Sequence, residues 1–185
     1  MGHKSLVVVT RAKRTLRLES TGLAQQIGEL MVSRKWLLTT AESCTGGGIA
    51  QVMTSVAGSS RWFDCGFVTY SNIAKQDMLG VPVQTLVEQG AVSEATVIAM
   101  ALGALGHSQA HVAVAVSGIA GPGGGTETKP VGTVWFAWAV KDTTMKDAAV
   151  DTDRQCFQGD RLAVREQAVR YALLGVLARL GQEVD

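Results

Sequence analysis

Hydrophobic positions along the chain change period several times, and those changes mark its elements. Leu23, Ile27, Leu30 and Met31 recur at helical spacing behind Ser20 and Thr21, two capping residue types, so a first helix is expected to start there. Trp36-Leu37-Leu38-Thr39-Thr40-Ala41 is a short, mostly apolar run with β-branched residues, the pattern of a buried strand. It opens into Glu42-Ser43-Cys44-Thr45-Gly46-Gly47-Gly48 and then Ile49-Ala50-Gln51-Val52-Met53, which reads as strand, Gly-rich turn, helix. After a turn at 57–60, a strand is predicted from Phe63 to Tyr70. A short helix holding Lys75 and Met78 follows, with Asn72 as its cap and Gly80 as its stop. Ser93 caps a long apolar helix reaching about to Gly106.

The second half supplies three more strands and a last helix. His111-Val112-Ala113-Val114-Ala115-Val116 is a strand that empties into Ser117-Gly118-Ile119-Ala120-Gly121-Pro122-Gly123-Gly124-Gly125. Thr133 to Val140 and Ala148 to Phe157 are two more strands, joined by a polar turn at 141–144, and so short a link favours antiparallel pairing. Gly159-Asp160 starts a last helix with Leu162, Val164, Ala168, Tyr171, Ala172, Leu174 and Val176 on its apolar side. Helices alternating with strands, then a hairpin, predict an α/β class: a single three-layer α/β/α domain with a mixed sheet.

Composition narrows what such a domain does. At 185 residues the chain suits one domain, read as 21–185, with 1–20 as a flexible extension that is either a solvated arm or a partner-binding one. Hydrophobic residues make up 46% and charged ones 18%, as in a soluble globular protein. A net charge of +1 offers no electrostatic footprint for nucleic acid. Cys44, Cys65 and Cys156 are widely spaced and odd in number, which fits a reducing, cytoplasmic compartment. His3, His107 and His111 do not cluster with other ligand types, so no metal is expected. No apolar run approaches the roughly 18 residues needed to span a bilayer, and the basic start is a poor secretory signal.

The chain has 21 glycines, above the average share, and the excess sits in two loops, each directly after a strand, where open α/β sheets bind ligands. Around Ser43, the N–H groups of Cys44, Thr45 and Gly46 are expected at a helix N-terminus, suited to either an oxyanion or a phosphate. The turn is neither a Walker A loop nor a Gly-x-Ser-x-Gly elbow. Spacing alone leaves Ser43 as a cap or a nucleophile. With no His near either loop, the candidate base is Lys75, near the start of its helix and with Tyr70 close by. A solvated surface lysine is the other reading. Cys44 is a rival nucleophile, since a thiol at a helix N-terminus can be activated.

Several blocks in order resemble one family. They are Thr39-Thr40-Ala41-Glu42-Ser43-Cys44-Thr45-Gly46-Gly47, Gly58-Ser59-Ser60, Phe67-Val68-Thr69-Tyr70-Ser71-Asn72 with Lys75, and Gly90-Ala91-Val92-Ser93. The same holds for Ser117-Gly118-Ile119-Ala120-Gly121-Pro122-Gly123-Gly124, Lys129-Pro130-Val131-Gly132-Thr133-Val134, and Phe157-Gln158-Gly159-Asp160-Arg161 with Arg165. Residues 21 to 183 thus resemble the CinA C-terminal domain family, in its stand-alone form. Members include nicotinamide-nucleotide amidohydrolases, which turn nicotinamide mononucleotide into nicotinate mononucleotide and ammonia. The resemblance implies a hydrolase that needs no cofactor or metal, with Ser43 as nucleophile and Lys75 and Tyr70 as proton-transfer partners. It places the nucleotide against Glu42, Gly47, Ser117, Gly118, Ala120, Gly121 and Arg161. It also implies a homodimer, for which the apolar positions of the last helix offer a face, unless that helix packs inward. The alternative is a catalytically silent paralogue that holds a nucleotide without cleaving it.

Overall fold

The computed structural model describes residues 3–141 and 148–181, and for residues 3–18 the backbone alone. Asp142, Thr143 and Thr144 of the expected polar turn lie outside the described residues. In chain order the elements are α1 (His3–Arg34), β1 (Leu38–Glu42), α2 (Gly48–Thr54), β2 (Phe63–Val68), α3 (Asn72–Leu79) and α4 (Val83–Glu88). There follow α5 (Glu94–Gly106), β3 (Val112–Gly118), β4 (Thr133–Val140), β5 (Ala149–Cys156) and α6 (Arg161–Arg179).

The strands form one mixed sheet in the order β2-β1-β3-β4-β5. β1 runs parallel to both β2 and β3, while β4 runs antiparallel to its neighbours β3 and β5. The β4–β5 pair is antiparallel, as the short link required. Both sheet faces are covered, so β3 alternates large and small residues rather than apolar and polar ones. Val112, Val114 and Val116 face a core built with Ile27 and Met31 of α1, Ile49 and Met53 of α2, and Val164, Ala168 and Leu173 of α6. Ala113 and Ala115 face the other way, toward Val97, Met100 and Ala104 of α5. Each fully buried side chain such as Ile27, Ile49 or Phe136 contributes about 1.5–3 kcal/mol of burial. Small residues let α5 lie close. A Cβ on Gly103 would come within 2.0 Å of the Leu79 carbonyl oxygen, so glycine there seats α3 against α5.

Several sequence expectations shift. The first helix is not capped at Ser20 or Thr21 but runs unbroken from His3, because neither Gly nor Pro interrupts residues 3–21. Ser71, not Asn72, caps α3, its hydroxyl accepting from the Ala74 N–H at 3.0 Å. α4, a six-residue helix after Pro82, was not anticipated. The apolar side of α6 packs within the protomer, with Val164, Ala172 and Val176 fully buried. It therefore gives no ground for a homodimer.

The three parallel strands end together, Glu42 opposite Val68 on one side and Val116 on the other. β4 begins and β5 ends at the same edge, Thr133 opposite Cys156. This one edge gathers the 43–47 turn, residues 69–72, the 119–132 loop and the start of α6.

Candidate active site

Chemistry at this edge begins where β1 stops. Ser43 donates its backbone N–H to the Val116 carbonyl at 3.0 Å, one last bond to β3. The chain then turns through Gly46 and Gly47, with φ of 61° and 88°, a left-handed bend that glycine adopts without strain. α2 leaves from there. The Ser43 side chain is nearly buried, 8% exposed.

Lys75 reaches it from α3. Its amine lies 3.1 Å from Ser43 Oγ and 2.8 Å from the Thr69 carbonyl oxygen. Lys75 is 1% exposed and, among the described residues, has no salt bridge. Burial of an ammonium without a counter-ion penalises the charged form and pushes the amine below its usual 10.5; the Cys44 thiol opposes this in part. A neutral amine accepts the Ser43 O–H and donates one N–H to Thr69, whose carbonyl aims the lone pair at Ser43. The Thr69 N–H in turn is bonded to the Glu42 carbonyl at 2.8 Å, so β1 and β2 together hold both members of the pair.

Cys44 is a poor rival. Burial drives its thiol up to about 12, against which the N–H groups of Cys44 and Thr45 and the charge of Arg165 do little. It carries no thiolate at neutral pH.

Other expected site residues are placed differently. Tyr70 is 60% exposed, and its hydroxyl accepts from Arg161 Nη2 at 2.7 Å rather than meeting Lys75 or Ser43. The Gly46 N–H is taken by the Ser43 carbonyl at 3.0 Å and is not an oxyanion donor, because the turn closes on itself. The N–H groups of Cys44 and Thr45 remain as candidates. Glu42 is fully buried, its carboxylate occupied by the N–H groups of Ile49 and Ala50 at 3.0 and 2.8 Å, so it does not face a substrate. Ser117 is also turned inward, its hydroxyl donating to the Ala91 carbonyl at 2.7 Å. Ala120 is packed into the core on the α1–α2–α6 side. Gly47 sits at the N-cap of α2, and Gly118 closes β3 against Val134.

Arg161 does reach the site's rim. It donates from Nη1 to the Gly121 carbonyl at 2.9 Å and from Nη2 to Tyr70, tying the Gly-rich 119–132 loop to the end of β2. One turn on, Arg165 donates to the Thr45 carbonyl at 2.7 Å, while its buried Nε has no hydrogen-bond partner among the described residues. Arg165 and the Thr69 carbonyl were not singled out as site groups from the sequence. Arg165 stood in a resembling block, but a backbone carbonyl leaves no residue-type signal. Among the described residues, no group of three His, Cys, Asp or Glu could hold a metal ion.

A model of the CinA C-terminal domain matches residues 20–180. The nicotinamide-nucleotide amidohydrolase PncC of Escherichia coli K12 is 56% identical over 151 residues, covering 82% of this chain and 88% of that protein. The Pseudomonas putida protein of the same name is 52% identical over 163 residues, covering 88% and 98%. Among solved structures, the competence/damage inducible protein CihA of Agrobacterium tumefaciens superposes with a TM-score of 0.82 at 45% identity, over 89% of this chain and 96% of that one.

Proposed function

The chain belongs to the CinA C-terminal domain family, and from that premise we propose that it hydrolyses the carboxamide of nicotinamide mononucleotide to nicotinate mononucleotide and ammonia. The observation that carries the reading is the 3.1 Å approach of a buried, uncompensated lysine amine to the Ser43 hydroxyl. Ser43 Oγ attacks the carboxamide carbon as Lys75 takes its proton, a step for which a positioned base contributes about 10²–10⁴-fold. The resulting ammonium gives a proton to the departing amine, and ammonia leaves. Water then attacks the acyl-Ser43 ester as Lys75 takes its proton; Lys75 passes that proton to the departing Ser43 Oγ, and nicotinate mononucleotide is released with the neutral lysine restored. The N–H groups of Cys44 and Thr45 serve the oxyanion, turning from the Cys44 thiol to the substrate.

Arg161 is assigned to the 5′-phosphate, because a guanidinium bonds phosphate in a fork and this one stands at the rim beside the Gly121 carbonyl. Tyr70 is assigned to the rim as well, its exposed side chain bonded through the hydroxyl to Arg161. A cytoplasmic homodimer completes the reading; light scattering on the purified chain decides the dimer.

The test is ammonia release from nicotinamide mononucleotide by the wild type and by Ser43→Ala. The reading expects turnover by the first alone. Turnover by both removes Ser43 from its role. Binding of the nucleotide with turnover by neither makes the chain the silent nucleotide-binding paralogue.

A further inference from the structure

We propose that Glu42 is a positioning residue for the nucleophile: its buried carboxylate holds the 43–47 turn shut and thereby sets Ser43 against Lys75. The inference rests on Ser43 acting as nucleophile, and it concerns a side chain that does not touch substrate.

Glu42 is the last residue of β1 and is fully buried. Its backbone lies between β2 and β3, opposite Val68 and Val116, and its carbonyl accepts the Thr69 N–H. Its side chain leaves the sheet and accepts from the N–H groups of Ile49 (Oε2, 3.0 Å) and Ala50 (Oε1, 2.8 Å), in the first turn of α2. One residue therefore ties both ends of the turn that carries Ser43: backbone at the start, carboxylate at the finish. The same residue reaches Lys75 in two steps, because Thr69 donates to Glu42 and its own carbonyl accepts from the amine.

No cation pairs with this carboxylate among the described salt bridges. A buried carboxylate is costly to desolvate, and here two amide donors and the positive end of a helix offset that cost. The usual Ser or Asp cap would be strained on this helix, because its N-cap position has a φ of 88°. α2 has no such cap: its N-cap is Gly47, with no side-chain bond. The carboxylate reaches from seven and eight residues back, across the nucleophile. It also removes the Ile49 and Ala50 N–H groups from any contact with a developing oxyanion. That duty is left to the turn itself, whose shape Glu42 fixes.

The experiment compares Glu42→Gln and Glu42→Ala with the wild type in kcat, KM and thermal midpoint, each rate normalised to folded protein by circular dichroism. Gln keeps the size and one acceptor but sets an NH2 against an amide donor. A nucleophile displaced by about 1 Å loses on the order of 100-fold, so kcat per folded molecule falls about 100-fold in Glu42→Ala and less in Glu42→Gln, with KM nearly unchanged. A lowered thermal midpoint with wild-type kcat per folded molecule in both variants overturns the proposal, since that is what a purely structural cap would do. If Glu42→Ala does not fold, Glu42→Gln and amide exchange in the wild type decide. The Ile49 and Ala50 amides are expected to be protected, and exchange at the rate of unstructured amides overturns the clamp. Labelling of Ser43 by a fluorophosphonate probe separates this from the substrate. A wild type that labels but releases no ammonia from nicotinamide mononucleotide ends the functional reading alone; Glu42 variants that label at the wild-type rate end this one.

Discussion

Two polar clusters sit on this sheet, and they are built to opposite rules. At the far edge, Asp153 of β5 accepts from the Tyr171 hydroxyl, from Gln155 Nε2 at 2.8 Å and from the Arg154 N–H at 2.7 Å. Burial works to raise the Asp153 carboxyl, but these donors outweigh it and hold it below its usual 3.8. Tyr171 moves the other way, raised by burial and by Asp153. Every group there has a partner that favours its resting form. At the active edge, Lys75 has a hydroxyl and a carbonyl but, among the described residues, no anion. The first arrangement stabilises charge; the second refuses it, and what is refused is available as a base.

The contrast is broken most severely at Lys75. Lys75→Met fills the same buried space without an amine, so kcat/KM for ammonia release falls about 10²–10⁴-fold. Asp153→Asn, by contrast, leaves kcat/KM within about twofold, because the residue acts through stability alone. Next in size is Arg161→Ala: losing a forked contact to phosphate raises KM about tenfold or more, with kcat less affected.

Smaller effects sharpen the comparison in free energy: each group makes stability rise with pH, but in a different window. Lys75's amine is lowered from 10.5 on folding, so the unfolded chain holds more protons between the folded value and 10.5. Wild-type stability therefore gains on Lys75→Met as pH rises through that window. Asp153's carboxyl is depressed from 3.8, so its contribution is present above 3.8 and is lost as pH falls through the folded value. Denaturant melts should show Asp153→Asn less stable by about 1 kcal/mol at neutral pH, the net worth of hydrogen bonds to half-buried partners. That gap should close in acid.

Much of the fold was legible because both-face burial writes itself into β3: Val and Ala alternate by size, and β4 and β5 follow with clear ends. The start of α1 was not, since Ser20 and Thr21 are good caps that a longer helix simply runs through. The pairing of residues 43 and 75 was legible only through the resemblance. Spacing left a lysine 32 positions away as either base or surface residue, and it takes the adjacent ends of β1 and β2 to bring them together. Ser117 and Glu42 show the limit from the other side. Both lie in the expected blocks beside the site, yet each spends its polar atoms on the backbone behind it. Residue type and position do not say which way a side chain turns when a buried amide or carbonyl competes with a ligand for it.

The most direct test of an uncharged Lys75 activating Ser43 is the pH dependence of fluorophosphonate labelling at Ser43, read by mass spectrometry in the wild type and in Lys75→Met. The structure calls for a wild-type rate that rises with a midpoint clearly below 10.5, and for loss of that titrating step in the variant. A midpoint at or above 10.5, or a variant that labels as fast as the wild type with the same profile, would contradict it.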